Sequence, residues 1–86
     1  MQAAPATDLD TDYTPRYITI ARDLRGRIED GTYPFCSLLP SSSRLAAAYD
    51  VSKGTALHAL WVLVDSGHAR YTVAKPYQVI WQGRHA

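Results

Sequence analysis

Residues 39–60, LPSSSRLAAAYDVSKGTALHAL, read as two short helices joined by a tight turn. Ser41 follows Pro40 and can cap a first helix whose body is Ser42 to Tyr49, because its hydroxyl can accept a hydrogen bond from an otherwise orphaned first-turn amide. Leu45 and Ala48, three apart, are expected on one face, with small Ala46 and Ala47 beside them. Asp50 stands at the break and tolerates a left-handed backbone. Val51 is expected as the buried plug of the turn, and Ser52 as the cap of a second helix. The first exposed residues of that helix would be Lys53, Gly54, Thr55 and His58.

A helix, a tight turn and a second helix that opens with small polar and basic residues make a helix-turn-helix. In that motif the second helix enters the DNA major groove and uses its N-terminal residues on base edges.

Outward from this stretch, Thr14-Pro15 reads as a helix start, a capping hydroxyl followed by proline at the first helical position. Tyr17, Ile20, Ala21, Leu24 and Ile28 recur at three- and four-residue steps and form one apolar stripe to about Asp30. Gly31 is expected to end the helix in a left-handed cap. The arginines off the stripe, Arg16, Arg22, Arg25 and Arg27, fit either a phosphate contact or a solvated face. Residues 32–36 read as a loop and Ser37–Leu39 as a very short strand. Cys36 reads as a small half-buried thiol without an activating base nearby in sequence.

The second helix of the motif continues to about Ser66, with Ala56, Ala59, Leu60 and Leu63 as its core stripe and Gly67 as its end. A second apolar row, Leu57, Trp61 and Val64, fits packing against neighbouring elements. It equally fits an exposed anchor for a partner or a second copy. Beyond it, residues 68–72 and 77–81 alternate as two strands about a turn at Val73–Pro76, with Ala69 and Tyr71 on one face and Tyr77, Val79 and Trp81 on another. Lys75 sits at the tip, as either a nucleic-acid contact or a solubilising lysine.

The fold class is therefore α+β: mainly α with a small β-hairpin, a winged helix-turn-helix of three helices plus a two- to three-stranded wing. It is expected over residues 14–82, after a flexible acidic arm at 1–13 and before a short tail at 83–86.

Composition sets the outer limits. Eighty-six residues at 47% hydrophobic content suit one small globular domain. Net charge is +1, but Asp8, Asp10 and Asp12 fall in the arm. From Pro15 onward nine basic residues face five acidic ones, a balance of +4. That is mildly basic and limits how many phosphates one copy can neutralise. The acidic arm could mask that surface or be a frayed terminus.

Cys36 is the single cysteine, so no internal disulfide is expected, and a reducing, cytoplasmic setting is. His58, His68 and His85 lack metal-ligand spacing, and no metal or cofactor is expected. The N-terminus lacks the pattern of a signal peptide, and no run of residues is long and apolar enough for a membrane span. Without a nucleophile–base spacing or a glycine-rich phosphate loop, an enzyme is not expected.

The sequence resembles the DNA-binding domain of the GntR family of bacterial transcription regulators from about Thr14 to Ile80. Ile28-Glu29-Asp30-Gly31 is similar to that family's I-x-x-G helix ending. Pro34 and Leu39-Pro40-Ser41 are similar to its P-x-G-x-x-L-P-S stretch. Leu45-Ala46, Val51-Ser52, Thr55, Ala59-Leu60, Leu63 and Gly67 follow its L-A…V-S-R-x-T-V-R-x-A-L-x-x-L-x-x-x-G pattern.

The departures fall where the family touches DNA. Cys36 replaces the Gly of P-x-G, and Ser42-Ser43 replace the Glu-Arg after P-S. Lys53 replaces the Arg of V-S-R and keeps the charge without the bidentate fork. Leu57 replaces the Arg of T-V-R and can contact only a thymine methyl or pack elsewhere. Ala74 replaces the wing glycine.

The resemblance implies a sequence-specific transcriptional regulator of double-stranded DNA, expected to be a repressor, acting as a homodimer at least on DNA. The usual C-terminal effector and dimerising domain is expected to be lacking. Candidate DNA-binding residues are Ser41, Ser43 and Arg44 for phosphate, Lys53 and Thr55 for direct contacts, Ser52, Gly54 and His58 on the same surface, and Lys75 on the wing. The alternative is a winged-helix protein-interaction module with weakened DNA binding, engaging a partner through Leu57 and Trp61.

Overall fold

The computed structural model describes residues 14–82, so the expected arm and tail lie outside the described residues. Three helices are followed by a hairpin: α1 (Arg16–Glu29), α2 (Ser42–Tyr49), α3 (Lys53–Asp65), β1 (Ala69–Arg70) and β2 (Gln78–Val79). The first helix and α2 both pack on α3, which is the central element.

Helix α1 buries Ile20, Ala21, Leu24 and Ile28, the stripe expected from its spacing. Tyr17 is half-buried at the edge of that stripe. Its start differs from expectation. The capping residue is Pro15, with no side-chain cap, and the Pro15 carbonyl accepts from the amides of Ile18 and Thr19. Thr14 therefore does not cap, and proline stands one position earlier than its favoured place inside the helix. Gly31, at φ +90°, leaves the helix in the expected left-handed turn.

In α2 the expected cap is present: the Ser41 hydroxyl accepts from the Arg44 amide at 3.2 Å. Only Leu45 is fully buried. Ala48 is exposed, while Ala46 and Tyr49 pack against the core. An eight-residue helix touches the core along a stripe only about two turns long, and its outer flank is turned to solvent. Asp50 closes α2 at φ 57°, ψ 53°, the left-handed turn expected of it. Val51 packs on the core but remains half-buried rather than forming a sealed plug.

Helix α3 is capped by Ser52, whose hydroxyl accepts from the Thr55 amide at 3.1 Å. Ala56, Ala59 and Leu60 are fully buried and Leu63 is 1% exposed. Alanines at two of these positions let α1 and α2 approach the α3 backbone closely.

The hairpin pairs Ala69 with Val79 and Arg70 with Gln78, antiparallel. A bridge between Leu38 and Gln78 adds a third, single-residue strand on the far side of β2. This is the short strand expected at residues 37–39. Both residues of β2, Gln78 and Val79, are buried, as is Tyr77 just before it, so burial here does not alternate. Tyr71 does not share the burial of Ala69: it lies beyond the two-residue strand and is exposed.

Cys36 holds a positive φ of 75° while its amide donates to the Val79 carbonyl and its carbonyl accepts from the Gln78 side chain. Those two bonds keep a residue with a Cβ in a conformation that favours glycine. Replacing it by glycine is expected to relieve strain that outweighs the extra freedom of the unfolded chain. Cys36→Gly should raise unfolding free energy by about 0.5–1 kcal/mol, read by urea denaturation.

Candidate nucleic-acid interface

The start of α2, the second turn of α3 and the hairpin border one open groove. Its walls include Ser41 and Ser42 from the start of α2, Leu57 from the second turn of α3, and Tyr71 and Pro76 from the hairpin. Each helix start uses its serine cap on one amide, Arg44 or Thr55. The earlier amides, at Ser42 and Ser43 in α2 and at Lys53 and Gly54 in α3, remain at the open, partially positive ends. Such ends attract anionic oxygens.

The candidate residues are not all alike in place. Ser41, Ser43, Arg44, Ser52, Lys53 and Gly54 are exposed at the two helix starts. Lys75 is exposed at the hairpin tip, next to the groove residue Pro76, and the turn is fixed by its amide donating to the Thr72 hydroxyl at 2.9 Å. Thr55 is half-buried, and its hydroxyl accepts from Ser52 at 3.0 Å, so part of its bonding capacity serves the cap. His58 is turned the other way. Its ring stacks on Tyr17 of α1, with centroids 3.6 Å apart and planes 9° apart. Spacing within α3 alone puts His58 near Lys53 and Gly54, and the contact with Tyr17, 41 positions earlier in the chain, left no signal in that spacing.

Gly54 has a distinctive environment. A Cβ built there would meet only the Ser52 hydroxyl, at 3.9 Å. Nothing inside the domain requires glycine, although glycine weakens a helix relative to alanine. Gly54→Ala is expected to stabilise the fold by a few tenths to about 1 kcal/mol in thermal unfolding. If the bare backbone serves close approach to a duplex, the same variant should bind DNA more weakly.

The helix-turn-helix is held on α1 by polar braces that sequence inspection missed. Arg16 donates to the Tyr49 carbonyl at 2.6 Å, placing a cation at the C-terminal end of α2. The Tyr49 hydroxyl donates to Asp23, which also pairs with Arg27 at 3.5 Å. Burial, then the bond to Asp23, push the Tyr49 phenol from 10.0 up to about 12. A phenol that ionises later in the folded chain than in the unfolded one contributes stability that is complete below pH 10. That stability is lost as pH rises to about 12. Tyr49→Phe should therefore show a shallower loss of denaturation midpoint between pH 10 and pH 12.

Ser66, His68 and Glu29 form a further trio. The His68 ring lies 2.8 Å from the Ser66 hydroxyl and 2.9 Å from the Glu29 carboxylate. The order resembles a hydrolytic triad, but Ser66 stands at the C-terminal end of α3, where carbonyls rather than amides face outward. No donor is thereby aimed at a developing oxyanion. The trio instead ties the ends of α1 and α3 to the root of the hairpin, where His68 also stacks with Trp81 at 5.9 Å.

On α3 the exposed large apolar side chains are Leu57 at 39% and Trp61 at 46%. Trp61 leans on Tyr71 at 6.0 Å and, edge-on, on Tyr77 at 6.1 Å. The packing expected of the second apolar row holds in part: one edge of Trp61 packs on the hairpin and the other meets solvent.

No protein-family model matches the chain, and no curated protein matches it. Solved structures do. One, described as a candidate GntR-family transcriptional regulator, is 35% identical with a TM-score of 0.73, over 79% of this chain and 27% of that one. Another, a candidate transcriptional regulator GntR from Rhodococcus sp. RHA1, is 28% identical with a TM-score of 0.71, over 79% of this chain and 32% of that one. The chain thus spans about a third or less of either protein's length. Sharing the fold of these structures over that span, the described domain is a winged helix-turn-helix of the GntR type.

Proposed function

We propose that this domain is a sequence-specific transcriptional regulator that seats the start of α3 in the major groove of double-stranded DNA. The observation that carries this reading is the exposed, serine-capped starts of α2 and α3, with an open groove running between α2, the second turn of α3 and the hairpin. Lys53 and Gly54 stand at one of those N-termini, Ser43 and Arg44 at the other, and Lys75 at the hairpin tip. Lys53 and Thr55 supply direct contacts, with Ser52 and Gly54 beside them. Ser41, Ser43 and Arg44 hold phosphate, and Lys75 reaches the backbone from the wing. His58 steadies α3 through Tyr17, and any contact from it comes from the ring edge left by that stack.

Repression is proposed as the mode because occupancy of a promoter suffices for it. A cytoplasmic homodimer is proposed because one domain, with eight basic against five acidic residues over 14–82, a balance of +3, supplies few phosphate contacts. Two half-sites about one helical turn apart add the free energy of the second copy.

The test is enrichment of a randomised duplex pool by the full chain at two salt concentrations. An enriched palindrome whose affinity falls steeply with salt supports the reading. Absence of any enriched sequence overturns it. The second reading, a protein-interaction module, draws on the exposure of Leu57 and Trp61. It would be favoured if the pool yields no sequence and the chain binds a protein partner that Trp61→Ala releases.

A further inference from the structure

We propose that Leu57 reads the 5-methyl group of thymine, which makes this domain select a T·A pair at the position its second α3 turn faces. The proposal rests on the DNA reading above and assigns a specificity to one part of the same surface.

Leu57 lies one turn beyond Lys53 and is 39% exposed; with Trp61, a turn further on, it is one of two large apolar side chains that this helix leaves open, and of the two it is the one that lines the groove. The groove it lines is shared with Ser41 and Ser42 from the start of α2, with Tyr71 and Pro76 from the hairpin, and with the exposed Leu38. The first pair belongs to a helix start that offers amides to phosphate, and the second to the hairpin that carries Lys75. A side chain between two backbone-holding elements, on the helix that enters the groove, faces base edges and not phosphates. Leu57 is in this way continuous with the DNA surface.

The chemistry of the groove then narrows the base. Its described walls carry no Lys, Arg, Asp or Glu. The thymine methyl is the apolar feature of the major-groove edge, and guanine and cytosine present only acceptors or a donor there. A methyl against Leu57 removes apolar surface from water on both sides. A guanine O6 or cytosine amino group against it loses water and gains no partner. Selection therefore comes from attraction to one base and a penalty on the others. Tyr71 gives the groove a firm wall, since its ring is held by Tyr77 at 5.0 Å and by Trp61 at 6.0 Å.

The experiment takes the duplex that the full chain enriches and replaces its thymines one at a time with deoxyuridine, which pairs identically but lacks the methyl. One symmetry-related position should weaken wild-type binding about three- to fivefold per half-site. Leu57→Ala should bind the thymine and deoxyuridine duplexes equally at that position. Leu57→Arg should move the preferred base there to guanine, because a guanidinium can pair with O6 and N7. Circular dichroism of each variant confirms the unchanged fold expected for an exposed site. Indifference of the wild type to every replacement overturns the assignment but leaves an enriched site, and so the DNA reading, standing. A penalty that persists unchanged in Leu57→Ala assigns the methyl to another residue and overturns it too. Self-association abolished by Leu57→Ala, without any deoxyuridine effect, gives this face to a second copy. A pool with no enriched sequence overturns both readings.

Discussion

Leu60→Ala is expected to lower unfolding free energy by about 2–5 kcal/mol. Leu60 is fully buried on the α3 face on which both other helices pack. Removing its three outer carbons loses their transfer free energy. It also leaves a cavity that three helices, tied to one another by polar braces, can collapse only in part. A domain of this size has a total stability of about 3–10 kcal/mol, so the variant should stand near its folding midpoint. In urea, with a slope of about 1 kcal/mol per molar, the transition should move down by about 2–5 M. Leu38→Ala provides the control: Leu38 is 52% exposed, and the shift should stay within about 0.5 kcal/mol. Equal shifts for the two variants would mean that Leu60 is not at the centre of the core.

The second large effect concerns DNA. Lys53→Ala together with Arg44→Ala should cost roughly 2–4 kcal/mol of affinity per domain, counted twice on a palindromic site. The two substitutions are expected to act differently. Lys53 begins the helix that faces base edges, so Lys53→Ala should flatten sequence preference at one position of each half-site. Arg44 stands at the start of α2, and losing it should weaken all duplexes alike and reduce the salt slope by about 0.9 per domain. Thr55 is better tested as Thr55→Val than as alanine, because its hydroxyl accepts from Ser52 within the helix cap and valine keeps the shape. Filter binding at several salt concentrations, with a parallel thermal melt, separates lost contacts from lost fold. A double variant that binds as wild type would remove the start of α3 from the interface.

Together these predictions separate what holds the domain from what it presents. The buried face of α3 is small and apolar, and its outer face is polar at the start and presents Leu57 and Trp61 further on. The polar start suits groove edges and phosphates, and the apolar part suits a methyl or another apolar surface. Gly54 and Cys36 mark opposite cases of backbone economy. Gly54 is glycine where the fold has no need of it. Cys36 is not glycine where the backbone favours one.

The order of elements, both serine caps, the left-handed turns at Asp50 and Gly31 and the apolar stripes of α1 and α3 were legible in the sequence. Their causes act over one turn of chain: a hydroxyl reaches an amide three residues on, and side chains repeat at three and four. Tertiary structure decided the rest. It turned Ala48 outward and Tyr49 inward, because the face of α2 that meets the core depends on how α2 lies against α1 and α3. It passed over Thr14 for Pro15 and stacked His58 on Tyr17 away from the other candidates. It fixed Cys36 at positive φ through β2, and it left Leu57 and Trp61 partly open because the hairpin covers one edge of α3 only. Each of these outcomes except the Pro15 cap depends on partners brought together by folding from distant parts of the chain, and no local pattern encodes which face a helix will offer to a neighbour it has yet to meet.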